Sequence, residues 1–364
     1  MSKQSYVPSG AKIKVIGLGG AGSNAITRMV REQIRGVEFI AMNTDAQHLA
    51  ITESPIRIQL GERLTRGLGA GGDPQLGRKA AEESRDEIRQ AVAGADMVFI
   101  TAGMGGGTGT GAAAVVAEEA KKPGALTIAV VTKPFTFEGF QRARQADEGI
   151  LSLMDKVDTL IIIPNDRLLE LCDQKTGVDS AFKMADQCLH HGVQAIAEVI
   201  TVPGLINLDF ADVRAIMKDA GPAWMSVGHG SGQNRAVEAA KQALSSPLLD
   251  VSVQGAKGVL FNIVGPNNLT LFEVNAAAEV IRQAVDPEAN VIFGVGFDPN
   301  MSNEIRLTLI ATGFATQDML AGSARDKEIT RILKNIKSEE LDVPSFLRQR
   351  RFVPGYQPRS SVRN

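Results

Sequence analysis

Residues 103–111 read GMGGGTGTG, with six glycines in nine positions. It follows the apolar segment DMVFITA and precedes AAAVVAEEAKK, which has a helical composition. A glycine-rich junction between a strand and a helix is either a sharp turn or a cradle whose backbone N–H groups approach a phosphate. The rest of the sequence bears on that choice.

Length, composition and charge limit the alternatives. The chain has 364 residues, more than one hydrophobic core usually holds, so we expect two domains with tails. Its net charge of −2 and its few aromatic residues argue against a nucleic-acid partner. A signal-peptide pattern and a membrane-length apolar run are both missing, so we expect a cytoplasmic protein without direct membrane insertion.

Cysteine and histidine usage gives no sign of a metal or disulfide framework. Cys172 and Cys188 both fall in segments with helical patterns and are expected to be buried, reduced thiols. The four histidines lack ligand spacing with cysteines or carboxylates. No protein-bound zinc is expected.

Six short apolar runs alternate with helical stretches in the first half of the chain. Their β-branched, nearly unalternating character is typical of strands buried on both faces, which predicts a parallel sheet in a doubly wound α/β domain. The runs are residues 12–18, 37–43, 56–60, 96–102, 126–132 and 159–165.

A long helix is predicted next. Apolar residues recur at helical spacing from Asp179 to about Thr201, with Asp179 placed as a cap and Pro203-Gly204 as a stop. Beyond it, shorter elements predict a smaller α+β domain. They are helices near 210–219, 233–245 and 271–285, and strands near 223–228, 257–264, 290–297 and 304–313.

These patterns give a domain plan. It comprises an N-terminal tail (1–11), the α/β domain (12–178), the central helix (179–202), the α+β domain (203–315), and a short linker with a basic tail (316–364). Within 325–341, an apolar stripe and a capping-box spacing predict a short amphipathic helix.

The first glycine loop is G17-L-G19-G-A-G22, between strand KIKVI and a helix that opens at Ser23-Asn24. It matches G-x-G-x-x-G, and Asp45 lies where a ribose-binding acid would be, so taken alone it predicts NAD binding. The match is not specific, because any phosphate at a helix N-terminus needs the same missing side chains.

A second glycine loop changes this interpretation. Two cradles indicate a polyphosphate, to which Thr108 and Thr110 add hydroxyl donors and the helix beginning near Gly109 adds its positive end. Neither loop has the lysine of G-x-x-x-x-G-K-[ST], and N-K-x-D does not occur, so P-loop GTPases and ATPases are poor fits. Without that lysine, backbone dipoles and a Mg²⁺ ion are expected to meet the triphosphate charge.

Asp186 is a candidate for reading the base. A carboxylate can accept both the N1–H and the N2 amino protons of guanine, whereas adenine has no matching pair of donors. Phe182, one turn earlier, could stack on the base. The alternative is that Phe182 belongs to the core, as aromatic residues at helical spacing usually do.

Asn207, Asp209 and Asp212 form an acidic cluster past the long helix. The two aspartates could cap the next helix, or they could orient and polarise a water molecule. From Asp186 to Thr201 the helix spans about 22 Å at 1.5 Å per residue. Unless residues 202–208 double back, these acids would therefore face the nucleotide of another copy.

The motifs together resemble FtsZ, the bacterial, tubulin-like family of cell-division GTPases, over residues 12–315. The motifs are GGAGSN (19–24), NTDAQ (43–47), RLTRGLGAGGDP (63–74), GGGTGTG (105–111), PFTFEG (134–139), NDRL (165–168) and NLDFADV (207–213). The resemblance implies a tubulin/FtsZ-like fold, in which the doubly wound GTPase domain is joined by the central helix to the C-terminal domain.

The resemblance also implies a site and an assembly. GTP or GDP would be bound with Mg²⁺, and the copies would form a head-to-tail homopolymer at the mid-cell division ring. Asn207, Asp209 and Asp212 would then activate hydrolysis in the adjacent subunit. The candidate nucleotide residues are Gly19, Gly20, Ala21, Gly22, Ser23, Asn24, Asn43, Gly105, Gly106, Gly107, Thr108, Gly109, Thr110, Glu138, Arg142, Asn165, Phe182 and Asp186.

The tail motif DVPSFLR (342–348) implies binding of membrane anchors and regulators of the division ring. The residues concerned are Asp342, Val343, Pro344, Phe346, Leu347 and Arg348. The linker before this motif, 315–341, is shorter than is usual in the family.

Two other functions stay open at the level of sequence. GLGGAG with Asp45 fits a nicotinamide-dependent oxidoreductase. Glycine loops that bind a nucleotide without turning it over fit a non-hydrolysing scaffold.

Overall fold

The computed structural model describes residues 10–34, 36–170, 177–201, 209–246, 253–298 and 301–314. The predicted helix within 325–341, the tail motif, Asn207 and Cys172 lie outside the described residues. Cys188 is a free, part-buried thiol, and burial raises its pKa to about 12.

The six strands predicted in the first half are confirmed. All of them pair in parallel, in the order β3-β2-β1-β4-β5-β6. Because the order reverses between β1 and β4, a crevice opens beyond the carboxyl ends of these two strands. The strands are β1 (Ile13–Leu18), β2 (Val37–Asn43), β3 (Ile56–Gln59), β4 (Met97–Gly103), β5 (Leu126–Lys133) and β6 (Thr159–Pro164).

Helices connect these strands and cover both faces of the sheet, as buried apolar strands require. Two of them begin at capping aspartates: Asp45 accepts hydrogen bonds from the backbone of the helix that follows it, and so does Asp73. The helices are α1 (Gly19–Arg31), α2 (Ala46–Ile51), α3 (Glu62–Thr65), α4 (Pro74–Glu83), α5 (Arg85–Val92), α6 (Thr108–Lys121), α7 (Phe140–Met154) and α8 (Asn165–Leu169).

The predicted long helix is α9 (Val178–Thr201). Near its start, Phe182 contacts Phe135, which follows the carboxyl end of β5. In its middle, Gly192 lies against Val130 of β5, and at its end Thr201 lies against Gly36, just before β2. The helix therefore runs from the carboxyl edge of the sheet to the amino edge.

The remaining elements confirm the α+β prediction. β10 is antiparallel to both of its neighbours, in the order β7-β10-β8-β9. β7 also pairs with β6, so the strands of the described chain form one ten-stranded sheet. The domain boundaries themselves stay predictions. The elements are α10 (Phe210–Met217), β7 (Gly221–Ser231), α11 (Arg235–Leu244), β8 (Gly258–Gly265), α12 (Leu271–Ala284), β9 (Asn290–Phe297) and β10 (Glu304–Thr312).

Close packing of α4 on α6 explains part of the glycine run. A Cβ atom on Gly111 would lie 2.1 Å from the Pro74 carbonyl oxygen, and one on Gly107 would lie 2.7 Å from the Ala70 Cβ. A Cβ on Gly106 would meet nothing within 4 Å. The run thus serves both purposes: some of its glycines allow helix packing, and Gly106 borders open space.

We expect Gly111→Ala to lower the free energy of unfolding by about 2 kcal/mol or more, because overpacking against rigid backbone forces α4 and α6 apart. Gly106→Ala is the matched control and should unfold like the wild type, since its methyl group would enter open space. Urea denaturation measures both. A wild-type midpoint for Gly111→Ala would contradict the packing argument.

Candidate functional site

The crevice at the carboxyl edge receives the N-termini of two helices. α1 begins directly after β1, and α6 begins at Thr108, five residues after β4. Neither helix has a side-chain cap or an acidic residue in its first turn. Their unpaired N–H groups and positive dipole ends are available to an anion.

Two adjoining cavities of about 260 and 230 Å³ occupy this crevice and share Gly20, Gly107 and Thr108. We call them the first lobe and the second lobe. The first lobe is also lined by Asn43, Asp45, His48, Leu68, Gly69, Ala70, Gly71 and Gly72. The second lobe is also lined by Leu18, Gly19, Ala21, Gly103, Met104, Gly106, Gly109, Thr132, Pro134, Glu138, Arg142, Asn165, Phe182, Ala185 and Asp186.

Most of the candidate nucleotide residues line one lobe or both, although five do not. Gly22 instead packs against β4, where a Cβ would lie 2.5 Å from the Thr101 carbonyl oxygen. The Thr110 hydroxyl accepts a hydrogen bond from the Gly105 N–H at 2.8 Å and so closes the loop. The five are Gly22, Ser23, Asn24, Gly105 and Thr110.

Sequence reasoning missed the loop at 67–72 as part of the site. Four of its six residues are glycines, and all four have positive φ, which lets the loop fold against the crevice. The glycine density was the available signal. The loop precedes the Asp73-Pro74 start of α4 but does not follow a strand directly. A search for glycines between a strand and a helix therefore did not select it.

Asp186 lines the second lobe and is partly buried. Its carboxylate forms no hydrogen bond or ion pair with any described residue, and burial raises its pKa to about 6, with Arg28 acting in the opposite direction. A partly buried, unpartnered carboxylate in a cleft is a common mark of a functional site.

Two neighbours complete the second lobe. Phe182 is 40% exposed and contacts Phe135 and Phe137 edge-on, so it lies at the rim of the lobe and not in the core. Asn165 is buried, and its Oδ1 has no hydrogen-bond partner within the described structure. An acceptor held without a partner in a cavity wall is available to a ligand.

Glu138 and Arg142 form an ion pair across one turn. Glu138 Oε2 lies 3.1 Å from Arg142 Nη1, and Oε1 accepts a hydrogen bond from the Phe135 N–H at 2.8 Å. Glu138 thereby fixes the turn between β5 and α7. The Arg142 guanidinium remains about half exposed at the second lobe.

Asp209 and Asp212 form a reciprocal capping box at the start of α10. The Asp212 N–H donates to Asp209 Oδ1 at 3.0 Å, and the Asp209 N–H donates to Asp212 Oδ2 at 3.4 Å. The capping alternative is therefore correct as structure. Both residues are exposed, and neither lines either lobe.

α10 is attached at the amino edge of the sheet. The Thr159 hydroxyl, at the start of β6, donates to the Met217 carbonyl oxygen, and Arg214 Nη2 donates to the Gly124 carbonyl oxygen at 3.5 Å, just before β5. The glycine loops lie at the carboxyl edge. A strand of six residues separates the two edges by about 20 Å.

The described residues contain no group of three or more His, Cys, Asp or Glu side chains placed to hold a metal ion. None of the described helices is both long and apolar enough to cross a bilayer.

The fold and the crevice define a nucleotide-binding protein outside the P-loop class, and comparison with known families identifies it further. Residues 12–173 match the GTPase domain of the Tubulin/FtsZ family, and residues 221–315 match the C-terminal domain of the FtsZ family. The chain belongs to the FtsZ family of tubulin-like GTPases. The predicted resemblance and fold class are thus confirmed.

Similarity to solved structures supports the same family assignment. An empty FtsZ dimer from M. jannaschii is 49% identical, with a TM-score of 0.81, over 83% of this chain and 88% of that one. A point mutant of FtsZ from M. jannaschii is 48% identical, with a TM-score of 0.82, over 84% and 92%. GDP-bound CetZ1 from Haloferax volcanii is 21% identical, with a TM-score of 0.73, over 88% and 98%, and supports the fold alone.

The nicotinamide alternative does not survive these findings. The matching family is one of GTPases, not of oxidoreductases. Asp45, expected in that alternative to bind a ribose, caps α2 through hydrogen bonds from the Gln47 and His48 N–H groups at 2.9 and 3.0 Å.

Proposed function

We propose that this chain is a GTP-hydrolysing protein that polymerises head to tail. GTP would lie between successive copies, and Asp209 and Asp212 of one copy would activate hydrolysis in the next. The observation that carries the proposal is the placement of the crevice at one edge of the sheet and the attachment of α10 at the other.

The second lobe suits guanine. Asp186 would accept from N1–H and from the N2 amino group, Asn165 Oδ1 offers a further acceptor, and Phe182 offers a ring at the rim. The free N–H groups of α1 and α6 and the loop at 67–72 would hold the phosphates. Adenine presents no pair of donors to a carboxylate, so GTP is favoured over ATP.

Mg²⁺ is compatible with this arrangement. The ion takes oxygen ligands and usually retains several waters beside substrate phosphates, so it does not need a cluster of protein carboxylates. Asn43, Asp45 and Thr108 supply oxygen atoms to the first lobe. When bound, the ion would neutralise phosphate charge.

The acids would act by holding the attacking water. Within the capping box each carboxylate uses one oxygen, Oδ1 of Asp209 and Oδ2 of Asp212, which leaves the other oxygen of each for a water molecule. The box fixes both side chains before a neighbour arrives. Preorganised groups of this kind stabilise a transition state without rearranging during the reaction.

The rim of the crevice suits contact with a second copy. Leu68, Phe137 and Phe140 are large apolar side chains that are mostly exposed there or close by. Exposed apolar groups near a polar cleft commonly mark an interaction surface. The dimer found for FtsZ of M. jannaschii supports self-association of this chain.

Membership of the FtsZ family supports a proposal about the cellular role. We infer that the protein acts in the cytoplasm, at the mid-cell division ring. The tail motif at 342–348 would bind membrane anchors and regulators, as a short motif whose weak affinity is amplified when filaments present many copies.

GTPase rate per molecule, measured against protein concentration with light scattering in parallel, tests the proposal. We expect the rate per molecule to rise with concentration and reach a plateau as scattering appears, because one copy cannot complete a site. A rate independent of concentration would refute activation by a neighbour. Bound GTP with background phosphate release at every concentration would instead indicate a non-hydrolysing scaffold.

A further inference from the structure

Lys121 is the last residue of α6, and its ammonium group meets three oxygen atoms. Nζ lies 3.2 Å from Asp158 Oδ1, 3.3 Å from Asp219 Oδ1 and 3.4 Å from the Val157 carbonyl oxygen. An ammonium group has three donors, so each has an acceptor. Burial lowers the pKa of Lys121, but its bonds to Asp158 and Asp219 outweigh this effect and raise it.

The two carboxylates that accept from Lys121 differ in how firmly they are held. Asp158 is buried, and its Oδ2 accepts the Thr127 N–H of β5 at 2.8 Å, so this side of the contact is fixed to the sheet. Asp219 lies two residues beyond α10 and is largely exposed, with a left-handed backbone at φ 51°. Lys121 therefore ties the end of α10 to the rigid amino edge of the GTPase domain.

Two further hydrogen bonds hold the same end of α10. The Thr159 hydroxyl donates to the Met217 carbonyl oxygen, and the Thr312 hydroxyl lies 3.3 Å from the Ile216 carbonyl oxygen. From Met217 to Asp209 the helix extends about 12 Å. Val213 is also buried in the core and Phe210 packs against it, so α10 is held by its apolar face along its length, and these polar contacts at its C-terminus set the direction in which its N-terminal acids point.

We propose that Lys121 is a positioning residue for hydrolysis, which acts through Asp219 to set how α10 presents Asp209 and Asp212 to the next copy. The proposal rests on activation by a neighbour, as put forward above. α6 begins in the crevice at Thr108 and ends at Lys121, about 20 Å away. One helix would thereby contact the phosphates of its own copy and support the acids that serve the next.

Lys121→Met and Asp219→Asn test this inference. Each should bind GTP and assemble as the wild type does, with the GTPase rate per molecule at saturating protein lower by about tenfold, because small misplacements of reacting groups are costly. Asp219→Asn suits the left-handed backbone and leaves no buried carboxylate unpaired, so it protects the test against misfolding. Lys121→Arg should restore most of the rate.

Lys122→Met is the matched control. It removes the same charge one residue further along, where Lys122 pairs with Glu119 of α6 and not with the α10 segment. Its GTPase rate should equal that of the wild type. Wild-type rates for both Lys121→Met and Asp219→Asn, or an equal loss in Lys122→Met, would overturn the proposal.

Mixing variants separates positioning of the acids from damage to the pocket. A Lys121→Met copy retains its nucleotide site, so adding Asp186→Asn copies, which retain their acids, should raise its GTPase rate. Adding Asp212→Asn copies should not. If Asp186→Asn and Asp212→Asn restore each other but Lys121→Met gains nothing from Asp186→Asn, the inference about Lys121 fails and neighbour activation stands. If the mixture of Asp186→Asn and Asp212→Asn also stays inactive, the proposal of activation by a neighbour is wrong.

Discussion

Asp212→Asn is expected to bind GTP like the wild type and to hydrolyse it at least about a hundredfold more slowly, the usual scale for loss of a general base. The amide oxygen of asparagine can still accept a hydrogen bond at the start of α10, so the capping box and the fold should persist. What is lost is the charge that polarises the water. Nucleotide binding by calorimetry and phosphate release at saturating protein measure the two effects.

The decisive form of this experiment mixes two impaired variants at a GTP concentration too low to fill the Asp186→Asn site. Asp212→Asn lacks the acid, and Asp186→Asn lacks the base-reading carboxylate, but each retains what the other has lost. Each contact between successive copies needs a nucleotide from one copy and the pair of acids from the other. A mixture of the two variants should therefore recover activity that neither shows alone. Asp86→Asn, which changes an exposed carboxylate on α5, serves as the control and should remain active. Normal hydrolysis by Asp212→Asn would exclude its catalytic role.

Asp186→Asn is expected to weaken GTP binding by about a hundredfold, the loss of roughly two charge-assisted hydrogen bonds. Inosine triphosphate lacks the N2 amino group, so comparing it with GTP isolates the hydrogen bond that this group donates. The wild type should prefer GTP over inosine triphosphate by about tenfold, and the variant should not discriminate between them. Asp179→Asn is the matched control, since Asp179 is exposed on the same helix and pairs with Lys183. Unchanged GTP affinity in Asp186→Asn would remove Asp186 from base recognition.

The same carboxylate gives a pH dependence with a defined sign. Burial raises the pKa of Asp186 to about 6, and only the ionised form accepts both protons from guanine. GTP affinity should therefore fall as pH decreases from 7 to 5, by about tenfold per unit once below the pKa. The effect of this group on folding has the opposite sign. Its contribution to the free energy of unfolding is fully present below the pKa of the unfolded chain and is lost as pH rises through about 6. Titrations of GTP binding at several pH values, with Asp186→Asn as the pH-insensitive control, measure the first effect.

The positions of several strands follow closely from the apolar pattern of the sequence. Residues 37–43 and 290–297 were predicted as strands with the bounds that the structure gives. Apolar periodicity and β-branched composition act over a few neighbouring residues, so they can be read locally. The two glycine loops could be found for the same reason, because strand, loop and helix are consecutive.

The glycine run contains residues whose roles cannot be predicted from their neighbours in sequence. Gly106 and Gly111 look alike in sequence, but one borders the crevice and the other packs against residues 74–78 of α4, which lie more than thirty positions earlier. Phe182 had two possible roles, and Asp186 was only a candidate for reading the base, until the position of α9 was known. Its rotation against β5 placed both side chains at the second lobe.

The pattern of adjacent residues was enough to predict the strands, the long helix, the parallel sheet and the two phosphate-type loops. Three features required the folded chain: the loop at 67–72 lines the crevice, Asp186 is unpaired with a raised pKa, and Lys121 contacts Asp219, 98 positions away. Those features depend on burial and on contacts between distant segments, which exist only once the sheet has brought its two edges and their helices into place.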